Sequence, residues 1–168
     1  GPGIGHVGGL VGLAYPAATV LVPEGNPAGS AWRTVALAEA ARGARIADAH
    51  AGQEWRLAGL RLDVLSPEAD APEPDQLALR VIGPGGHSFC DLADLDPDGQ
   101  AQAAARLTGP CDALLLPGGG RSAPAPDLLG AARPARLIAS DAGGQLARNL
   151  PRGGLSRTSE EGAIVLPL

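Results

Sequence analysis

Residues 76–96 read QLALRVIGPGGHSFCDLADLD, and two apolar runs inside that stretch decide the fold. Leu77–Ile82 (LALRVI) predicts a strand, and His87–Leu92 (HSFCDL) predicts its return. GPGG between them supplies the residues a tight turn needs, so the pair reads as an antiparallel hairpin. The pattern then changes. Asp98–Leu107 predicts a helix, Asp112–Leu116 (DALLL) a buried strand, and PGGG follows it. A hairpin that runs into strand, helix and strand predicts a mixed α/β layered domain.

The flanks fit the same class. Upstream, EWRLAGLRLDVLSP (54–67) alternates, with Trp55, Leu57, Leu60, Leu62 and Val64 as one apolar set. It predicts a second hairpin turning at Ala58-Gly59. EADAPEPDQ (68–76) is an acidic, proline-rich surface loop. Val7–Tyr15 reads as helical, Thr19–Pro23 (TVLVP) as a buried strand, and Arg45–Asp48 as a short strand. Ser30 is a good N-cap for a helix over Ala31–Arg42, which Gly43 ends. Downstream, Asp127–Ala132 predicts a short helix and Arg136–Ser140 a strand. The tail SRTSEEGAIVLPL holds a last strand or two, and no internal repeat is present.

The 168 residues are room for one domain with a real core. Aromatics are only 2% and methionine is absent, so that core must be built from Leu, Val, Ile and Ala. All 13 basic residues are arginine, and the net charge is −5. Phosphate neutralisation supplies most nucleic-acid affinity, and the only basic clusters are pairs such as Arg42/Arg45 and Arg133/Arg136. Avid DNA binding by this segment alone is therefore not expected. The most apolar stretch, LVGLAYPAATVLV (10–22), carries a proline and is shorter than the roughly 18–20 residues of a membrane helix. No signal peptide is visible. Gly1-Pro2 and the lack of a starting methionine read as the start of a piece cut from a longer protein. Cys90 and Cys111 have no second cysteine at metal-finger spacing. A disulfide is open to them in an oxidising compartment, but two buried thiols on strands is the simpler reading.

In order and at sensible intervals come HVGGL (6–10), EWRLAGLRLDVLSP (54–67), QLALRVIGPGGHSFCDLADLD (76–96) and DALLLPGGGRSAP (112–124). This series resembles the metallo-β-lactamase-like domain at the C-terminal end of ComEC, the bacterial DNA-uptake channel of natural competence. The resemblance runs over essentially the whole chain, 1–168. It rests on order, spacing and apolar framework. It implies an α/β metallo-β-lactamase-like αββα sandwich, here one partial domain. Family members begin with further strands carrying a DVGQGD-like motif, and this chain has no such block. Those strands are absent from the piece, supplied by another chain, or replaced by a rebuilt face.

The family's implied chemistry is phosphodiester hydrolysis by one or two zinc or manganese ions held on His and Asp side chains. The family's HxHxDH falls on Gly1, Gly3, Gly5 and His6. The aspartate of its TGD block falls on Asp94, with Ala93 where the glycine would be. Its PHHGS falls on Pro117, Gly118, Gly119, Gly120 and Arg121. The region of its last histidine reads DAGGQLARNLPRGG (141–154) and contains none. Only His6 and Asp94 keep a ligand's residue type, and two donors do not make a hydrolytic site. No zinc or manganese is expected to be retained.

Simpler roles exist for each of these residues. His6 can cap the HVGGL helix. Asp94, Asp96 and Asp98 look like a calcium cluster, but the downstream glutamate is missing and Asp96-Pro97-Asp98-Gly99 reads as a turn into a helix. Gly118, Gly119, Gly120 and Arg121 could cradle an anion, although the spacing and lysine of a P-loop are absent. Ser88 and His87 are neighbours on a strand and face opposite ways, so they form no dyad.

The resulting expectation is a non-catalytic, nuclease-like domain of a DNA-uptake protein, structural or accessory in DNA import. Its partners would be the rest of a membrane channel protein and, weakly, single-stranded DNA. By the family's example it would be a soluble, extracytoplasmic domain of an inner-membrane protein. The alternatives are an active metal-dependent nuclease that degrades the non-imported strand, and a small anion- or nucleotide-binding module.

Overall fold

The structure is a computed structural model that describes residues 17–25, 31–69, 76–141, 143–151 and 153–167. The helix expected over Val7–Tyr15 and the Ser30 cap lie outside the described residues. The chain divides into two compact units, one formed by 1–51 and 66–77, the other by 52–65 and 78–168.

In the smaller unit, β1 (Thr19–Pro23) and β2 (Arg45–Ala49) pair in parallel, Thr19 opposite Arg45 and Pro23 opposite Ala49. Parallel neighbours need a crossover, and α1 (Ala31–Ala41) provides it. Val35 and Glu39, four residues apart, share the buried face of α1, while Leu37 is exposed. The helix ends as the sequence predicts. Gly43 is left-handed at φ +99°, its N–H donates to the Ala40 carbonyl, and the Ala44 N–H donates to the Glu39 carbonyl. Those two bonds are a Schellman cap. The buried Glu39 carboxylate, which the sequence did not flag, accepts from Arg42 Nη1 at 2.8 Å.

The larger unit is a seven-stranded sheet in the order β3-β4-β5-β6-β7-β8-β9. β3 (Glu54–Leu57) and β4 (Leu60–Ser66) form the first hairpin, and β5 (Ala78–Ile82) and β6 (Ser88–Asp91) the second. From β6 onward the pairing is parallel, through β7 (Ala113–Leu115), β8 (Arg136–Ala139) and β9 (Leu155–Arg157). Two helices serve the crossovers. These are α2 (Pro97–Arg106), between β6 and β7, and α3 (Pro126–Ala132), between β7 and β8. The tail gives one strand, β9, and then a short helix, α4 (Thr158–Glu161), in place of a second strand.

The core of this unit is aliphatic, as the composition requires. Leu65, Leu92, Leu114, Leu116, Leu128 and Leu137 fill it, with Ala103, Ala104 and Ala132 on the helices. Alanines there let α2 and α3 lie close to the sheet. Asp96 caps α2 by accepting from the Gly99 N–H at 2.8 Å, with Pro97 in the first turn. This is the plain turn-to-helix reading of DPDG. Gln100 is buried because both ends of its amide are used. Nε2 donates to the Leu95 carbonyl and Oε1 accepts from the Ala125 N–H, each at 2.7 Å.

The two thiols expected at Cys90 and Cys111 are joined in a disulfide, and Cys111 precedes β7 rather than lying on a strand. Side-chain periodicity shows which residues are inside, not which sulfurs meet.

The sheet's outer strands are short. On β3, Glu54 pairs with Arg56 at 2.8 Å, and β9 has three residues followed directly by α4.

The β3–β4 turn has positive φ at both central residues, Ala58 (51°) and Gly59 (85°), which is the requirement of a type I′ turn. Alanine is poorly suited to that conformation. Ala58→Asn is expected to raise stability by about 0.5–1 kcal/mol, measured by urea unfolding, because Asn-Gly is the favoured I′ pair.

Candidate functional site

Parallel pairing from β6 to β9 sends four strand C-termini to one edge of the sheet. Such edges are where α/β proteins place their binding groups. Here they bring together Asp91 and Asp94 from β6, the turn Pro117–Gly120 and Arg121 from β7, Asp141 from β8, and Arg157, Thr158 and Ser159 from β9.

Asp94 and the glycine turn, picked out separately in the sequence, meet directly. The Gly118 N–H donates to Asp94 Oδ1 at 2.7 Å. Gly118 and Gly119 are both left-handed, at φ/ψ 58°/26° and 65°/25°. A Cβ on Gly119 would lie 2.6 Å from the Ser140 carbonyl oxygen, which no side chain tolerates. The turn is fixed further by the Ala147 N–H, which donates to the Gly120 carbonyl at 2.9 Å. The amide that could have cradled an external anion thus holds the chain's own carboxylate. Arg121 is exposed beside it. His6 lies outside the described residues.

Ala93 sits where the resembling family has glycine, and its φ is +50°. The backbone is left-handed at Ala93, directly before Asp94, a conformation in which alanine is strained.

Asp91 ends β6. Its Oδ1 accepts from the Ala93 N–H at 2.8 Å. Burial pushes its carboxyl above the usual range, the Ala93 bond opposes this, and the Asp94 charge adds to the rise. Asp141 behaves oppositely. Its carboxylate accepts from Arg157 Nη2 and, at 2.9 Å, from the Ser159 hydroxyl. The Arg157 bond is the main cause that holds it below the usual range. The stability that pair contributes is present at neutral pH and is lost as pH falls through the lowered value. Arg157 also donates to the Gly144 carbonyl and to Glu160, both at 2.9 Å. Asp91, Asp141, Arg157 and Ser159 were not singled out in the sequence. Their signal is positional, since each sits at or just after the C-terminal end of a strand.

At the other end of the same strands is a structural clasp. Asp112 Oδ2 accepts from the Ser88 N–H at 2.7 Å, and the Ser88 hydroxyl donates to the Pro110 carbonyl at 2.8 Å. His87 Nδ1 is 3.6 Å from the same carboxylate oxygen. Buried Arg80 donates to Thr108 at 3.1 Å and to the Pro110 carbonyl at 2.9 Å, and burial lowers its pKa. Ser88 is buried and His87 exposed, and both approach Asp112 Oδ2, the Ser88 hydroxyl at 3.4 Å and His87 Nδ1 at 3.6 Å.

Among the described residues, no group of three or more His, Cys, Asp and Glu side chains could hold a metal ion. At the edge itself, Asp94 and Asp141 are engaged as above, and Gly119 has no space for a donor side chain.

No protein-family model matches the chain, and no curated protein matches it by sequence. Its backbone does match solved structures. CmlA, a diiron β-hydroxylase from Streptomyces venezuelae, aligns with a TM-score of 0.51 at 11% identity, over 71% of this chain and 30% of that one. A point mutant of the same β-hydroxylase gives 0.50 at 12% identity with the same coverage. A Thermotoga maritima protein, described as a Zn-dependent hydrolase of the metallo-β-lactamase superfamily, gives 0.39 at 14% identity, over 86% of this chain and 69% of that one. The chain thus spans less than a third of the β-hydroxylase it matches. The likeness is one of fold, and that fold is the α/β metallo-β-lactamase type.

Two outcomes follow for the β6 turn. Ala93→Gly is expected to stabilise the chain by about 0.5–1 kcal/mol in thermal unfolding, by relieving the left-handed alanine. Asp91→Asn keeps an acceptor for the Ala93 N–H but cannot ionise. A raised folded pKa costs stability as pH rises past the ordinary aspartate value. The variant should therefore gain on the wild type above about pH 4 and match it below, followed by urea unfolding across pH.

Proposed function

We propose that residues 1–168 are one partial metallo-β-lactamase-like domain of a ComEC-type DNA-uptake protein, which has kept the family's framework without its metal chemistry. Its role is structural or accessory in DNA import. It packs against the rest of the channel protein, or guides the non-imported strand without cutting it. Its place would be the extracytoplasmic side of an inner-membrane protein. Among the described residues, no helix is long and apolar enough to cross a membrane, so anchoring would fall to other segments.

One observation carries this reading. Asp94, the residual ligand position three residues past the end of β6, is closed onto the Gly118 amide, where the resembling family presents histidine. Two positions 24 residues apart in sequence meet at this edge, which supports the reading of a kept framework. But the contact is a carboxylate on a backbone amide, next to a glycine that admits no side chain. The net charge of −5 also suits a domain that touches DNA weakly.

The test is elemental analysis of the chain after exposure to Mn²⁺ and Zn²⁺ and exhaustive dialysis, beside a cleavage assay on single-stranded DNA. A metal content near zero with no cleavage is expected. A tightly held metal together with cleavage that Asp94→Ala abolishes would replace this reading with the active-nuclease one.

A further inference from the structure

The disulfide joins the two segments that carry the candidate site, from the C-terminal half of β6 to the residues that lead into β7. Cys90 is the next-to-last residue of β6, directly before Asp91, and four residues before Asp94. Cys111 enters β7, which ends at the glycine turn. The sulfur bridge therefore joins the stems of the two segments whose tips meet at Asp94 and Gly118. Both cysteines are 0% exposed and belong to the aliphatic core. The Cys111 N–H donates to the Ala132 carbonyl at 2.8 Å, which ties the same point to the end of α3.

We propose that this disulfide conditions the site: the edge that joins Asp94 to the glycine turn assembles only in the oxidised chain, which suits the protein to an oxidising compartment. The inference rests on the position of the bridge and is independent of the DNA-uptake reading. Two free thiols would have to sit at non-bonded distance in a close-packed core, so the stems of β6 and β7 would have to shift. Reduction also releases the constraint on a loop with a sequence separation of 21 residues.

Neither sulfur is reachable once the sheet has closed, so oxidation precedes closure. One thiolate attacks a disulfide-bearing oxidant, forming a mixed disulfide. The second thiolate then displaces the oxidant's sulfur. The two thiols lose two protons and two electrons, and the oxidant leaves as a dithiol.

The first measurement is alkylation of the full chain, purified without reductant and then denatured. No label is expected, and two labelled cysteines per chain overturn the proposal. The second compares oxidised chain with chain reduced in denaturant and returned to buffer with its thiols kept reduced. The melting temperature should fall by roughly 6–12 °C. Exchange of the Gly118 amide should rise roughly tenfold or more, while the Val64 amide, which donates to the Gln53 carbonyl in the β3–β4 hairpin, keeps its protection. A reduced chain that loses protection at Val64 as much as at Gly118 overturns the proposal, since the bridge would then hold the whole unit and not this edge. A reduced chain whose Gly118 amide is as protected as in the oxidised one overturns it.

Discussion

Parallel pairing governs the larger unit. Once β6 lies alongside β7 in the same direction, the chain must leave at one edge and travel back before it can pair again. The same holds from β7 to β8 and from β8 to β9. α2 and α3 exist to make two of those returns. The loops that begin them collect the polar groups of four separate segments at one edge. Asp94 reaches Gly118 across 24 residues of sequence for this reason.

The core that holds this arrangement has almost no aromatic residues to draw on. Leucines contribute the buried area, and alanines on α2 and α3 keep the layers close. Burying Arg80, Gln100 and Ser88 in such a small core is tolerable only because their main polar atoms find backbone or side-chain partners. Ser88 opens β6, Arg80 sits in the middle of β5 and Gln100 in the first half of α2. The aliphatic interior is left uninterrupted.

The strands and helices were legible in the sequence because their signals are local. Alternation around Ala58-Gly59 gave the first hairpin, Gly43 the end of α1, and Asp96-Pro97 the start of α2. The fold class followed from the order of these pieces and from family likeness. The contacts of the site were less legible. Asp94 and Gly118–Arg121 were picked out one at a time, but nothing local says that a carboxylate closes on a particular amide. Asp141 with Arg157, and Cys90 with Cys111, are likewise products of strand order, as both pairs join segments brought together by parallel pairing. Buried Glu39 escaped because its helix places a charge where the 3.6-residue period calls for an apolar side chain.

The two outer strands of the seven-stranded sheet have a consequence for assembly. An open edge is an invitation to another strand, and long apolar edges lead to fibres. β3 presents Glu54 and Arg56 locked to each other, and β9 is too short and too soon turned into α4 to template a neighbour. Backbone-to-backbone recruitment of a second chain is therefore discouraged at both ends of this sheet. Any lasting association would have to be made through side chains on its faces, helices and loops. Contacts of that kind can be specific in partner and reversible, which strand addition seldom is.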